Sequence, residues 1–109
     1  MAKAIQIPAA PEWLAGSLRA RYAELAPVFT RMGTLTALET GILARYIVAE
    51  NNYLQISNEL QRALSAGDGE EAGRWLAAQE KINRQILTLG EALGLTAEKR
   101  KAMGWTLPQ

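Results

Sequence analysis

Two long runs of regularly spaced apolar residues, separated by one short polar loop, constrain the fold of this 109-residue chain most strongly. The first run covers residues 38–64 and the second covers residues 72–93, both with apolar positions every three or four residues. This spacing is typical of amphipathic helices. The sequence A-G-D-G at residues 66–69 predicts a tight turn between them. Two long helices joined by so short a loop are expected to pack antiparallel, as a helical hairpin resembling a coiled coil.

A further amphipathic helix is predicted upstream of the hairpin, within residues 11–33. Its apolar positions follow the same helical spacing: Leu18, Tyr22, Leu25, Phe29 and Met32. Pro27 lies inside this pattern and has no backbone N–H, so we expect it to kink the helix or break it in two. Trp13 and Trp75 fall on apolar stripes and are expected in the core.

Short capping signals mark where the predicted helices begin and end. Thr36 and Glu39 have the spacing of a capping box, in which Thr36 caps the third amide and Glu39 reaches back. Gly94 is expected to end the second long helix, and Thr96 to cap a short basic one. The predicted fold is all-α. Its parts are a flexible arm (1–10), an N-terminal helical segment (11–33), a hairpin oligomerisation core (34–95), and a short basic C-terminal helix with a tail (96–109).

Composition argues against several classes of function. The chain has no cysteine and no histidine, which removes thiol nucleophiles, imidazole catalysis and zinc sites built from Cys or His. The glycines at 67 and 69 lack the lysine of a phosphate-binding loop. We therefore predict no catalytic residues, no metal and no cofactor. No apolar run is long enough for a membrane span and no signal peptide is recognisable, so we expect a cytoplasmic protein.

The charged residues are distributed unevenly. Residues 35–95 carry five basic and eight acidic side chains, whereas both flanking segments carry a basic excess. Charge alone makes six residues candidates for DNA contact: Arg19, Arg21, Arg31, Lys99, Arg100 and Lys101. For the three on the N-terminal helix, the alternative is solubility and pairing with Glu24. For the C-terminal triplet, the alternatives are a solvated helix end and docking on a protein partner.

A second set of apolar positions lies beside the first on both hairpin helices. Its members are Leu43, Ile47, Leu54, Leu76 and Leu87. Two helices cannot cover apolar surfaces this wide, so the N-terminal helix is expected to cover part and a neighbouring subunit the rest. We therefore predict a homo-oligomer, with these five residues as interface candidates.

The order of these signals resembles the P27 family of phage terminase small subunits. A-P-E-W-L at residues 10–14 leads into the helix that contains L-A-P at 25–27. M-G-T-L-T-A-L-E at residues 32–39 opens the long second helix, and L-G-L-T at 93–96 precedes the basic segment. Each motif is short, and the order and spacing carry the resemblance over most of residues 10–105.

The resemblance implies a non-enzymatic ring of about eight to ten identical subunits, with nine as a guess, in the host cytoplasm. Its implied partners are double-stranded viral DNA near the packaging start and the large terminase subunit, whose ATPase and nuclease perform the chemistry. Many relatives carry a longer basic segment before the Pro-Glu-Trp stretch; here Lys3 is the sole charge ahead of Pro11. In addition, no family motif assigns the DNA contacts to particular residues of this sequence.

Two alternatives to this function stay open. The first is a monomeric or dimeric helical-hairpin adaptor that binds a partner's helix through Leu43, Ile47 and Leu54, without DNA. The second is a small DNA-binding regulator of the helix-turn-helix type. The long, continuous second helix argues against that regulator, because its recognition helix would be short.

Overall fold

The computed structural model of the chain describes residues 6–33 and 35–94. Three helices make up most of it: α1 spans Gly16–Arg31, α2 spans Thr40–Ser65 and α3 spans Gly69–Ala92. No strand occurs among the described residues, so the all-α prediction is confirmed for this part of the chain. The predicted C-terminal helix, with Lys99, Arg100 and Lys101, lies outside the described residues.

α1 is one continuous helix that passes through Pro27, so of the two predicted alternatives, a kink and a break, the break does not occur. Pro27 removes a single backbone donor, whereas apolar side chains before and after it remain buried, among them Tyr22 and Phe29. Burial on both sides of the proline therefore holds the two parts of the helix together. The Thr30 hydroxyl also donates to the Ala26 carbonyl at 2.7 Å.

α2 begins at Thr40, later than the capping box predicted. Half of the box forms, because the Thr36 backbone N–H donates to Glu39 Oε2 at 3.0 Å. The Thr36 hydroxyl also donates to this carboxylate, and it accepts from the Leu38 backbone N–H at 3.3 Å rather than capping the third amide. Residues 37–39 form a turn and bend, so Leu38 is 91% exposed instead of joining the apolar stripe.

α2 and α3 pack along each other in opposite directions, connected by residues 66–68. At mid-length, the Gln79 side-chain amide donates to the Ser57 hydroxyl at 2.9 Å. Gly67 adopts a positive φ of 72°, which glycine reaches without strain. The Asp68 carboxylate then accepts the Glu71 backbone N–H at 3.0 Å and caps α3. The predicted turn therefore lies where the A-G-D-G sequence indicates.

The core forms where α1 packs on α2, and α3 contributes to it from the other side. Its most deeply buried large side chains are Leu14, Phe29, Leu43, Tyr46, Ile47, Ile86 and Leu93. The segment before α1 is tied to this core: the Tyr22 hydroxyl donates to the Pro8 carbonyl at 2.8 Å, and Ala10 packs against the cluster. The N-terminal segment and α1 thereby cover apolar surface that the two long helices leave open.

Candidate DNA and subunit interfaces

Arg19 connects the N-terminal segment to α1. Its Nε atom donates to the Leu14 carbonyl at 2.9 Å, and its Nη2 atom donates to the Pro11 carbonyl at 3.2 Å. These bonds hold the turn at residues 11–14 against the first turn of the helix. Among the DNA candidates, Arg19 therefore has a defined role within the fold.

Arg21 forms ion pairs with two carboxylates. Its Nε and Nη2 atoms donate to the carboxylate of Glu50 at 3.1 and 3.4 Å, and its Nη1 atom donates to Glu24 Oε2 at 3.0 Å. The predicted pairing with Glu24 is thus confirmed. The hydrogen bond to Glu50 raises the pKa of Arg21 above its ordinary value, against the opposing effect of desolvation. A phosphate would have to compete with both carboxylates for this guanidinium.

Arg31 has different surroundings from these two arginines. It is exposed in the last turn of α1, where a cation also interacts favourably with the helix dipole. Arg19 is exposed as well, but Arg31 is the candidate that forms no side-chain hydrogen bond or ion pair with another described residue. The structure thus separates Arg31 from Arg19 and Arg21, which the sequence grouped together.

The structure divides the five predicted interface residues into two groups. Leu43 and Ile47 are buried within the single chain, so their assignment to a subunit interface is wrong. The physical reason is that α1 and the core residues around it cover this part of α2. Leu54, Leu76 and Leu87 are 50%, 46% and 37% exposed, respectively, and retain apolar surface for a partner.

A cationic groove of about 750 Å³ lies between Trp13 and one face of the α2–α3 pair. Arg45 of α2 and Lys81 and Arg84 of α3 line it, together with neutral residues: Val48, Ala49, Asn52, Gln85, Thr88 and Leu89. None of these described lining residues carries a carboxylate. Trp13 is 60% exposed at this groove, so its predicted place in the core is wrong.

Sequence reasoning missed this groove because its cations are far apart in the chain and form no charge run. The antiparallel arrangement of α2 and α3 places Arg45 along the same groove as Lys81 and Arg84. Plotting the basic residues on a paired helix diagram would have provided a signal. The side chain of Trp13 could not have been placed in this way, because it belongs to the irregular segment before α1.

The described residues contain no cluster of three or more His, Cys, Asp or Glu side chains suited to a metal ion. In the same part of the chain, no helix combines the length and apolar character needed to cross a membrane.

Exposed leucines and a cationic groove on paired helices define a helical protein whose surfaces suit binding and assembly. A comparison with protein families is more specific: residues 19–108 match the family described as phage terminase, small subunit. This match covers most of the chain, which therefore belongs to the phage terminase small-subunit family and has a role in phage DNA packaging. Membership implies DNA and the large terminase subunit as partners. No curated protein and no solved structure matches the chain significantly.

Proposed function

We propose that this protein is the DNA-recognising small subunit of a phage genome-packaging motor. It forms a homo-oligomeric ring, binds viral DNA at the packaging initiation site, and delivers that DNA to the large terminase subunit, whose ATPase and nuclease it regulates. The small subunit performs no catalysis itself and acts in the host cytoplasm. The family match over residues 19–108 is the observation that carries this proposal.

The exposed leucines of the long helices support assembly. Leu76 and Leu87 are eleven residues apart on α3, which is about three helical turns, so they lie on the same face. Leu54 has the same helical phase on α2 as the buried Leu43 and Ile47, and it continues their stripe into an exposed region. Half-exposed leucines at three regular helical positions suit burial against neighbouring copies.

The DNA contacts are proposed at Arg31 and at the Lys99–Lys101 triplet. Arg31 is exposed, whereas Arg19 and Arg21 hold backbone carbonyls and carboxylates of the same chain. In a ring, each cation is repeated once per subunit. A modest charge on one copy then becomes a continuous basic belt that attracts phosphates.

The assembly is tested by measuring absolute mass in solution with light scattering after size exclusion, at low and at high salt. A species of about eight to ten times the 11.9 kDa subunit mass supports the ring. A monomer or dimer at every concentration contradicts the ring and favours a helical adaptor that binds another protein.

DNA binding is tested by measuring affinity for duplex DNA as a function of salt. Each phosphate neutralised contributes about 0.9 to the slope of log affinity against log salt concentration. Arg31→Ala and a separate triple Ala variant of Lys99, Arg100 and Lys101 are each expected to flatten this slope. Arg74→Ala is the control for Arg31→Ala, because it removes an exposed arginine from α3 instead. An unchanged slope in either test variant removes its residues from the DNA interface.

A further inference from the structure

α3 carries a second surface whose chemistry complements the cationic groove. Leu76, Glu80, Leu87 and Glu91, here called the leucine–glutamate ridge, are all exposed. At 100° per residue these four positions fall within about 60° of arc, and they extend about 22 Å along the helix. The ridge therefore alternates apolar and anionic side chains along one line.

The groove and the ridge differ in both charge and shape. The groove is concave, with Arg45, Lys81 and Arg84 around apolar residues that include Val48 and Leu89. The ridge lies on a helix surface and carries leucines and glutamates. Leucine side chains match the apolar lining, and the glutamates match the cations that surround it.

The two surfaces face different directions on the same subunit. At 100° per residue, Lys81 of the groove lies about 140° around α3 from Leu76 of the ridge, whereas Arg84 lies about 80° from Leu76 and one helical turn from Glu80, where the two surfaces adjoin. A chain whose two complementary surfaces point in different directions is suited to head-to-tail association, in which each copy uses its groove with one neighbour and its ridge with the other. Such contacts form a closed ring when the rotation between copies is a whole fraction of a turn.

We propose that the leucine–glutamate ridge of one copy docks in the cationic groove of the next copy. This inference rests on the proposed function in requiring assembly of identical subunits, and it goes further by naming the two surfaces that meet. Burial of Leu76 and Leu87 supplies the apolar contact. Pairing of Glu80 and Glu91 with the groove cations selects the partner and fixes its register along the helix.

The lining of the groove favours a second copy over DNA as its occupant. Val48, Ala49 and Leu89 provide apolar contacts that a phosphate backbone does not use, whereas an inserted leucine does. Glu80 and Glu91 would repel DNA from the ridge, so the half-exposed ridge leucines, Leu76 and Leu87, are suited to a protein partner. A groove occupied by a neighbouring subunit also leaves Arg31, on α1, for DNA.

The experiment uses two charge-reversed versions of the full chain. The groove variant is Arg45→Glu/Lys81→Glu, and the ridge variant is Glu80→Lys/Glu91→Lys. In either variant alone, groove and ridge carry net charges of the same sign, with Arg84 retained in the groove. Each variant is therefore expected to raise the assembly Kd at least tenfold and to dissociate at concentrations where the wild-type chain is assembled. Arg62→Glu/Arg74→Glu is the control, since it changes net charge as the groove variant does, at exposed positions outside both surfaces and outside the proposed DNA contacts.

Complementation tests whether the two surfaces meet each other. An equimolar mixture of the groove and ridge variants is expected to restore the large mass at a one-to-one ratio, because each groove then meets a ridge of opposite charge. The quadruple variant, which carries all four reversals in one chain, is expected to assemble alone. Loss of assembly in both variants without recovery in the mixture or the quadruple variant overturns the proposed contact.

Two further results separate this contact from assembly in general. If the wild-type chain assembles and both reversed variants keep its full mass, the groove–ridge contact is wrong while the oligomer stands. If the wild-type chain is monomeric at all concentrations, the proposed assembly itself fails. Far-UV circular dichroism checks the fold of each variant. If a reversal lowers helix content, two neutralised variants repeat the comparison: Arg45→Gln/Lys81→Gln for the groove and Glu80→Gln/Glu91→Gln for the ridge.

Discussion

The Nε atom of Arg21 lies 3.1 Å from Oε1 of Glu50, and this contact joins α1 to a carboxylate that is nearly buried on α2. The Glu50 side chain is 12% exposed, whereas that of Arg21 is 38% exposed. The pair therefore lies at the edge of the core, where the carboxylate depends on its partner more than the guanidinium does. α1 is held on α2 by this pair as well as by apolar packing.

Arg21→Ala is expected to destabilise the fold because it leaves the Glu50 carboxylate without its charged partner. An unsatisfied buried acceptor costs about 1–3 kcal/mol, and the lower half of this range applies because solvent screens the exposed side of the pair. Urea unfolding at fixed protein concentration measures the change. Glu24→Ala is the control, since it removes only the exposed contact of Arg21. An equal loss of stability in both variants would contradict a special role for Glu50.

Tyr22→Phe is expected to loosen the segment before α1. The substitution removes the donor to the Pro8 carbonyl and is expected to reduce stability by about 0.5–1.5 kcal/mol. Tyr53→Phe is the matched control, because Tyr53 forms no hydrogen bond with its hydroxyl among the described residues. Thermal unfolding of the two variants provides the comparison, and equal melting temperatures would contradict the prediction.

The same tyrosine gives the protein an alkaline pH dependence. Burial raises the pKa of Tyr22 above its ordinary value of 10.0. Since the folded state favours the neutral phenol, this contribution to stability is present below about pH 10 and is lost as the pH rises through the folded pKa. The Tyr22→Phe variant is expected to lose less stability above pH 10 than the wild-type chain does. Urea unfolding at pH 9 and pH 11 checks this.

The sequence predicted features that depend on short-range signals better than features that depend on packing. The turn at Gly67 and Asp68 follows from conformational preference and capping, and the structure has it. The burial of Leu43 depends on how far α1 extends over α2, which helix periodicity does not reveal. The cationic groove was missed for a related reason: Arg45 and Lys81 line one groove only once α2 and α3 have packed together.

The carboxylate of Glu39 is expected to titrate at a lower pH than an ordinary glutamate. Its hydrogen bonds from the Thr36 hydroxyl and backbone N–H lower the pKa of Glu39 below its ordinary value of 4.5. This contribution to stability is therefore present above pH 4.5 and is lost as the pH falls through the folded pKa. Thr36→Val removes the hydroxyl donor and is expected to move the Glu39 pKa back toward 4.5. Carboxyl-carbon NMR titration measures it, and an unmoved pKa would contradict the proposed cause.

Leu43→Ala and Leu54→Ala are expected to affect different properties, fold stability and assembly respectively, although both residues lie on one stripe of α2. Leu43 is buried within the chain, so its truncation is expected to reduce stability by about 2–5 kcal/mol. Leu54 is half exposed, so its truncation is expected to leave the fold intact and to weaken assembly instead. Denaturant unfolding and mass in solution are measured on both variants. A folded, dissociated Leu43→Ala chain would return this residue to the subunit interface.

Ser57 and Gln79 form a polar contact along the otherwise apolar α2–α3 interface, and a double-mutant cycle measures its contribution. Ser57→Ala leaves the Gln79 amide without this acceptor, and Gln79→Leu removes the donor to Ser57; each is expected to cost about 1 kcal/mol. The double variant restores a consistently apolar interface, so its stability is expected to equal or exceed that of the wild-type chain. Simple addition of the two losses in the double variant would show that the residues act independently. Recovery of stability would instead show that the two residues are coupled, and that the interface loses stability when one of them is left without the other.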